Sequence, residues 1–185
     1  MKVLLHTCCG ACTIGPLEDL RGEGHEVTGY FYNPNIHPLL EFRRRLKAQK
    51  LLAERVKLAM SCEEDYGLRE FLDRVDWRGP GRCADCYRLR LERAAAVAGE
   101  RGFEAVTTTL LASAHQDHEL VRSVGEGCAA AGARFLYRDW RPLAQECPEQ
   151  ARRMGLYLQQ YCGCMFSEFE RFQDTRLHLY RGGSR

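Results

Sequence analysis

The fold of this 185-residue chain is decided near its start, by residues 2–12, KVLLHTCCGAC. Residues 2–6 are a short, largely apolar run that ends at a histidine and a threonine, which predicts a buried β-strand. Two adjacent thiols and a third follow at once, in the loop that leads out of the strand. Similar strand-like runs alternate with helical patterns along the rest of the chain, which favours an α/β protein.

Strand-like and helix-like segments succeed one another without a repeat or a low-complexity linker. The predicted strands are residues 2–6, 27–32, 56–60, 105–111 and 134–137, and the predicted helices are residues 14–21, 38–55, 83–99, 117–131 and 148–160. Helices between strands require crossover connections, which favour a parallel sheet with helices on both faces. At this length the chain is most simply a single domain over residues 1–185, large enough to bury a core without disulfides.

The net charge of +2 gives the chain no strong overall signature of a nucleic-acid-binding protein. Basic residues cluster locally at 43–50, 82–93 and 152–153, which favours either phosphate contacts or ordinary solvent-exposed helix faces. No stretch approaches the ~20 apolar residues that a transmembrane helix needs. The first residues lack the apolar run of a signal peptide, so we expect a cytoplasmic protein with reduced thiols and no membrane partner.

Seven of the ten cysteines fall into three tight clusters that lie far apart in the sequence: Cys8, Cys9 and Cys12; Cys83 and Cys86; Cys162 and Cys164. Thiolates this close in sequence bind the same metal ion or cluster, so three such clusters predict a metal site assembled by folding. The first cluster follows the first strand, at the edge where parallel sheets bind ligands. Adjacent cysteines can serve one site only at a turn, for which Gly10 supplies the flexibility.

The clusters also have alternative interpretations. The C-x-x-C pair at residues 83–86 alone is similar to a thioredoxin-like redox motif, although that motif normally follows a first strand. A structural zinc site built from the second and third clusters would saturate at four ligands and leave the first cluster unexplained. Iron-sulfur chemistry uses thiolates in this abundance. The remaining cysteines are scattered, and we assign no metal to them: Cys62, Cys128 and Cys147.

Six blocks of sequence, in this order, carry a resemblance to a known enzyme family: His6–Cys12; Tyr32–Ile36 with Glu41 and Arg44; Arg82–Tyr87 with Arg90 and Leu91; Thr107–Leu111 with Ser113, His115 and Gln116; Tyr137–Asp139; and Tyr161–Cys164 with Phe166 and Ser167. The chain resembles, nearly end to end, the non-cobalamin epoxyqueuosine reductases, the QueH family. The resemblance implies a domain similar to the nucleotide alpha-hydrolase (HUP) and PP-loop proteins. It also implies a 4Fe-4S cluster beside a separately held mononuclear iron.

The activity that the resemblance implies is the two-electron reduction of the epoxide of epoxyqueuosine to queuosine, at the wobble position of tRNAs with GUN anticodons. The electrons would come from an external donor, a ferredoxin- or flavodoxin-like protein. Our hypothesis for the ligands assigns the second and third clusters, Cys83, Cys86, Cys162 and Cys164, to the 4Fe-4S cluster. It assigns Cys8, Cys9 and Cys12 to the additional iron.

Other residues, most of them in the six blocks, are candidates for proton delivery and substrate binding. His115 is the first candidate proton donor because it lies in a polar loop after a strand, and the other candidates are His6, Tyr32 and Tyr87. The candidate substrate ligands are Asn33 and Asn35 for the base, Arg44, Arg88 and Arg138 for the backbone, and Glu41, Ser113 and Gln116. Each residue also has a structural interpretation, such as a plain turn at Asn33–Asn35 or a surface pair between Glu41 and Arg44.

Two other functions stay open from the sequence alone. One is a PP-loop-like iron-sulfur enzyme that transfers sulfur to tRNA, which the lack of a glycine- and serine-rich phosphate loop argues against. The other is a non-catalytic domain stapled by zinc. Colour separates these, because iron-sulfur thiolate proteins absorb broadly near ~400 nm and zinc proteins are colourless.

Overall fold

Strands and helices alternate along the computed structural model, which describes residues 1–129 and 133–175. The strands are β1 (Lys2–His6), β2 (Glu26–Phe31), β3 (Ala59–Cys62), β4 (Ala105–Thr108) and β5 (Arg134–Phe135). The α-helices are α1 (Gly10–Gly22), α2 (Leu39–Arg55), α3 (Leu68–Arg74), α4 (Arg82–Glu100), α5 (His118–Cys128), α6 (Cys147–Arg153) and α7 (Met165–Phe172), with short 3-10 helices at Thr109–Ala112 and Arg141–Gln145. Within the described ranges, no helix combines the length and the apolar character that crossing a membrane requires.

The strands form one parallel sheet with the order β3-β2-β1-β4-β5. At its centre His6, the last residue of β1, lies between Tyr30 of β2 and Thr108 of β4. The chain runs outward from β1 to β3 and then crosses to the other side of β1, so the strand order reverses between β1 and β4. Parallel sheets bind ligands at the carboxyl ends of the strands beside such a reversal. The parallel α/β fold predicted from the sequence is confirmed.

Helices cover both faces of the sheet, because β1 is apolar on both sides. Val3 and Leu5 pack with Leu17 of α1 on one face, and Leu4 packs with Ala94 of α4 on the other. Successive side chains of a strand point to opposite faces, so a continuous apolar run is typical of a strand that is buried twice. Helix α6 packs on α1 and helix α5 packs on α4. The sheet and these layers fix where α1 and α4 begin.

Two helices end before a residue in the left-handed conformation: α2 ends at Arg55, as predicted, and α6 ends earlier than the sequence pattern predicts. The predicted helix 148–160 ends at Arg153, since Gly155 adopts a φ of 56° and the N–H of Leu156 bonds the carbonyl of Ala151 (2.9 Å). This is the Schellman ending that glycine favours. Lys57 ends α2 in the same way with a φ of 51°, so the strand predicted at residues 56–60 forms instead at Ala59–Cys62.

Other differences come from side-chain caps. The predicted strand 105–111 ends at Thr108, whose hydroxyl accepts a hydrogen bond from the N–H of Leu110 (3.2 Å) and starts a 3-10 turn. Helices α3 and α7 were not predicted; both are short, and α7 is capped by a thiol rather than by one of the usual oxygen caps. The predicted helix 117–131 is found as His118–Cys128, and residues 130–131 lie outside the described residues. The single domain over 1–185 stays a prediction.

Candidate metal centre and active site

Three helices begin at the three cysteine clusters. Cys9 caps the N-terminus of α1, Cys83 lies in the first turn of α4, and Cys164 caps α7. The clusters meet beside the carboxyl ends of β1 and β4, where Cys8 and Cys162 line one cavity. The N-terminus of a helix carries a partial positive charge, which favours a thiolate over a thiol. The helix ends therefore converge on a place that suits anionic sulfur ligands.

The first cluster forms a compact thiol triad (Cys8, Cys9 and Cys12). Its three Sγ atoms all lie within 4.8 Å of one another. The Sγ of Cys9 accepts a hydrogen bond from the backbone N–H of Cys12 (3.3 Å), which turns the chain into α1 and brings these thiols to one side. Metal–thiolate bonds of about 2.3 Å in a tetrahedral site place the sulfurs about 3.8 Å apart. The triad therefore fits three ligands of a single metal ion.

The glycine after the adjacent cysteines serves the triad by its small size. Gly10 is the first residue of α1 rather than the flexible turn expected from the sequence. A Cβ at this position would lie 3.1 Å from the carbonyl oxygen of Ala48 in α2. Gly10 thus lets the start of α1 approach α2 closely, and the turn itself comes from the cap at Cys9.

Two neutral side chains donate hydrogen bonds to the triad. The Thr109 hydroxyl, just after β4, donates to the Sγ of Cys8 (3.4 Å). The amide of Gln159 donates to the Sγ of Cys12 (3.1 Å), and its Oε1 is buried without a hydrogen-bond partner among the described residues. Donors aimed at thiolate sulfur stabilise its negative charge and tune a bound metal. Gln159 is a site residue that the predicted helix 148–160 concealed.

The three thiols share their protons unequally. Hydrogen bonds from Cys12 and then from Cys9 hold the pKa of Cys8 well below its ordinary value. The same network raises the pKa of Cys12, and burial raises that of Cys9. The network thus favours the thiolate form of Cys8 over the thiolate forms of Cys9 and Cys12. A metal ion that takes all three as thiolates releases the remaining protons, so we expect binding to strengthen as the pH rises.

The thiols of the second and third clusters lie close together but less tightly. Cys86 and Cys164 belong to one apolar cluster, and burial raises the pKa of Cys86 to about 12, with the charges of Cys162, Cys164 and Cys83 adding to the effect. In the described part of the chain, the triad is the one group of three or more candidate ligand atoms all within 4.8 Å of one another. The other four sulfurs are therefore spaced more widely than a single zinc ion requires. That spacing suits a polynuclear cluster.

A buried arginine holds the Cys-Gly-Cys segment in place. Arg45 of α2 donates from Nη1 to the carbonyl of Cys162 (2.8 Å) and from Nη2 to that of Tyr161 (3.0 Å). Its Nε donates to Glu41 (2.7 Å), and both side chains of this pair are buried. The surface pair considered for Glu41 and Arg44 is therefore not formed; Glu41 bonds Arg45 and accepts from the hydroxyl of Tyr157 (2.6 Å).

Gly163, between the last two cysteines, has no room for a side chain. A Cβ there would lie 2.9 Å from Nδ2 of Asn35, which is buried and cannot withdraw easily. We expect Gly163→Ala to destabilise the protein by about 1–3 kcal/mol through overpacking and to displace the flanking thiols. Urea unfolding and the iron content after anaerobic reconstitution would measure both effects.

The matched control for that substitution is Gly127→Ala in α5, where a Cβ meets nothing within 4 Å. Replacing glycine by alanine within a helix is expected to stabilise by about 0.4–1 kcal/mol. Equal behaviour of the two variants would show that the close approach at Gly163 is unimportant.

A cavity of about 590 Å³ opens beside the thiols. It is lined by Cys8, Cys12, Thr109, Leu110, Ser113, His115, Gln116, Gln159, Gln160, Tyr161, Cys162, Ser167, Glu170 and Arg171. Three of the residues predicted to contact substrate or deliver protons, Ser113, His115 and Gln116, therefore lie at the cavity. A second cavity of about 440 Å³, which is mainly apolar, shares Cys12, Gln159 and Gln160 with the first.

Gln116 connects the cavity to a predicted catalytic tyrosine. Its Nε2 donates to the Sγ of Cys162 (3.4 Å), while its Oε1 accepts from the hydroxyl of Tyr87 (2.7 Å). The tyrosine bond fixes which end of the amide faces the sulfur. Burial raises the pKa of Tyr87, so its hydroxyl stays protonated at neutral pH. The catalytic role of Tyr87 and the substrate contact of Gln116 stay predictions.

Four further predicted site residues are also buried within the fold. The ring of His6 contacts the hydroxyl of Thr108 (2.8 Å) and the carbonyl of Tyr32 (3.0 Å), and burial, aided by the charge of Arg90, lowers its pKa to about 4. Its imidazole is therefore neutral at neutral pH. The hydroxyl of Tyr32 donates to Glu70 (2.6 Å). Asn33 donates to the carbonyl of Thr7 (2.8 Å), and Asn35 lies against Gly163 as described above; all four roles stay predictions.

The three arginines predicted to contact the tRNA backbone occupy different surroundings. Arg44 is exposed on α2, and Arg88 pairs with Asp85 at 2.9 Å. Arg138 pairs with Glu23, which caps the C-terminal end of α1. At 1.5 Å per residue that end lies about 20 Å from the triad. Arg44 and Arg88 are thus nearer candidates than Arg138, and their contacts with tRNA stay predictions.

The comparisons with known proteins show the family to which the chain is similar. The family model described as "Epoxyqueuosine reductase QueH" matches residues 3–170. A relative of that name from Dehalococcoides mccartyi is 37% identical over 172 residues, which cover 92% of this chain and 94% of the relative. Its counterparts from Haemophilus influenzae and Thermotoga maritima are 35% and 33% identical, covering 90% and 91% of this chain and 71% and 91% of their own lengths. The resemblance predicted from the six sequence blocks is confirmed, and the chain belongs to the QueH family of oxidoreductases.

Proposed function

We propose that this chain reduces epoxyqueuosine in tRNA to queuosine. The observation that supports this most directly is the cavity, which brings thiols of the first and third clusters together with His115. In the reaction two C–O bonds of the epoxide break, a C=C bond forms, and two electrons and two protons convert the oxygen to water. A site for this chemistry needs an electron store, a group that activates the oxygen and a proton donor.

We propose Cys83, Cys86, Cys162 and Cys164 as the ligands of a 4Fe-4S cluster and the thiol triad as the ligands of an additional iron. The close spacing of the triad and the wider spacing of the other four sulfurs support this division. When bound, these groups supply the electrons and the Lewis acidity that the deoxygenation requires. The thiolates would hold these groups beside the cavity, which Cys8, Cys12 and Cys162 line, and Gln116, Gln159 and Thr109 hydrogen-bond the sulfurs.

The chain's own part is to admit the modified base and exclude the rest of the RNA. A cavity of about 590 Å³ is large enough for one nucleobase with its side group. The wobble base therefore enters unstacked from the anticodon loop, as RNA-binding proteins and base-modifying enzymes commonly require. Ser113 and Gln116 are placed to contact it, and the exposed Arg44 and Arg88 to contact flanking phosphates.

His115 is the residue we propose to deliver a proton to the departing oxygen. Its side chain is exposed at the cavity, and its backbone N–H bonds the hydroxyl of Ser113 (3.2 Å), which fixes the turn that carries it. We expect His115→Ala to lower turnover by about 10²–10⁴-fold, the usual contribution of a general acid, with the iron content unchanged. Single-turnover assays on epoxyqueuosine-containing tRNA would measure this, and full turnover by the variant would remove His115 from the mechanism.

We propose tRNA with a GUN anticodon as the substrate and a ferredoxin- or flavodoxin-like protein as the electron donor, both acting in the cytoplasm. The QueH names of the relatives support tRNA chemistry. A donor of one electron at a time suits an iron-sulfur acceptor.

The deciding experiment combines metal analysis with a product assay. Anaerobically prepared protein is analysed for iron, sulfide and zinc and by Mössbauer spectroscopy, then mixed with dithionite and epoxyqueuosine-containing tRNA. Mass spectrometry of the nucleosides should show loss of one oxygen and formation of queuosine. A colourless zinc protein without turnover would contradict the proposal, and so would transfer of sulfur to the tRNA.

A further inference from the structure

Arg90 is a buried cation without a carboxylate partner. It lies in α4 one turn after Cys86 and is 1% exposed. Its Nε donates to the carbonyl of Cys86 (3.0 Å), and its guanidinium lies 5.6 Å from the ring centroid of Tyr87. Its Nη2 has no hydrogen-bond partner among the described residues. None of the ion pairs between described residues includes it.

The other fully buried arginine shows how the charge of such a residue is usually neutralised. Arg45 has Glu41 at 2.7 Å and two carbonyl acceptors, so its charge is neutralised by the protein. An arginine buried without an anion is strongly unfavourable. Arg90 therefore requires a negative charge that no carboxylate described in the structure supplies.

The ionisable groups that act on Arg90 include thiols of all three cysteine clusters. Burial opposes its charge, yet its pKa is raised, because Cys86, Cys162, Tyr87 and Cys8 attract the guanidinium when they are ionised. Conversely, its charge favours the thiolate form of Cys86 and Cys162. No aspartate or glutamate figures among these influences. Its hydrogen bond to the carbonyl of Cys86 holds the guanidinium beside the second cysteine cluster.

We propose that Arg90 is the internal counter-ion of the metal centre. It is a positioning residue, and its positive charge is balanced by the net negative charge of the thiolate ligands together with their metals. This inference rests on the metal centre of the proposed function. Each electron added to the centre increases its negative charge, and a fixed cation in a low-dielectric surrounding stabilises the added charge. Arg90 therefore raises the reduction potential of the centre and helps to retain it.

Arg90→Met should have opposite effects on the metal-free protein and on the metal-loaded protein. In the metal-free protein the variant should melt at the same temperature as the wild type or higher, because an uncompensated buried charge is removed. After anaerobic reconstitution with iron and sulfide it should lose iron to a chelator at least about tenfold faster, as mutation of groups around a metal site does. The midpoint of its reductive titration, followed by EPR, should move to a more negative potential.

Three further variants distinguish the charge of Arg90 from its packing. Arg90→Lys should keep the midpoint potential close to that of the wild type, because it keeps the positive charge. Arg90→Gln should shift the midpoint as Arg90→Met does, and it serves as a second neutral variant if the methionine variant folds poorly. Arg45→Met leaves Glu41 buried without its cation, so this variant should have a lower melting temperature both with and without metal. Arg90 variants that melt lower in both states with an unchanged midpoint would assign Arg90 a packing role and overturn the inference.

The result is separable from that of the proposed function. A wild-type protein that holds the cluster but leaves epoxyqueuosine unchanged would refute the function, while the shifted midpoint of Arg90→Met would still support the counter-ion. A wild-type protein that takes up no iron-sulfur cluster would overturn the counter-ion itself.

Discussion

Cys9→Ser is expected to abolish iron binding by the thiol triad while leaving the fold intact. Serine is among the best N-terminal caps, so its oxygen can accept the Cys12 N–H that the Cys9 thiol accepts now. The substitution therefore removes a thiolate without removing the cap. We expect turnover to fall by more than about 10²-fold, because loss of a ligand exceeds the 10–100-fold cost of losing its supporting groups. Iron and sulfide content, melting temperature and queuosine formation are the measurements.

Cys128→Ser is the control for this variant. Cys128 is half-buried at the end of α5 and is not one of the proposed ligands, so its replacement should leave iron, sulfide and turnover at wild-type values. Sulfide should also stay unchanged in Cys9→Ser, since the other four thiols are proposed to hold the cluster. Wild-type iron content in Cys9→Ser would show that the triad is not the site of the additional iron.

Arg45→Met should produce a large loss of stability. The variant leaves Glu41 buried without its cation and removes the two hydrogen bonds to the carbonyls of Tyr161 and Cys162. Breaking a buried pair by removing one partner costs about 3–5 kcal/mol. Urea unfolding of the metal-free protein under reducing conditions would measure this free energy.

The neighbouring residue provides the matched control. Arg44→Met removes the same side chain from an exposed position of the same helix, where substitutions usually stay within about 0.5 kcal/mol. The double variant Arg45→Met/Glu41→Leu should recover part of the loss, since it removes both buried charges. A loss below about 1 kcal/mol for Arg45→Met alone would mean that the pair is not important for stability.

The sequence predicts the layers of this fold well because β1, β2, α2 and α4 carry clear patterns of apolar residues. It misplaces the ends of elements where single residues decide them. The early end of α6 was visible in Gly155, whose left-handed conformation stops a helix, whereas the left-handed Lys57 gave no such signal. Helices α3 and α7 have seven and eight residues, too few for a helical period to stand out.

The same distinction holds for the candidate site: local sequence patterns predict some of its residues and miss those that act through tertiary contacts. Short cysteine spacings predict that thiols act together, and the structure brings Cys8, Cys9 and Cys12 together as expected. Gln159, Arg45 and Arg90 act through tertiary contacts with residues distant in sequence, and nothing in their immediate neighbourhood indicates this. The buried Arg45 shows the limit most clearly, because three consecutive arginines at 43–45 look equally exposed in the sequence.

The convergence of three helix N-termini has a consequence for how the protein acquires its metals. The proposed ligands extend from residue 8 to residue 164, so the site exists only when the sheet, α4 and the segment before α7 are all in place. Metal that binds the folded chain alone adds its binding free energy to that of folding. Metal that binds this site would then follow folding and stabilise the folded chain as a whole. Chelation should loosen the whole molecule cooperatively, so resistance to proteolysis becomes a direct measure of metal loading.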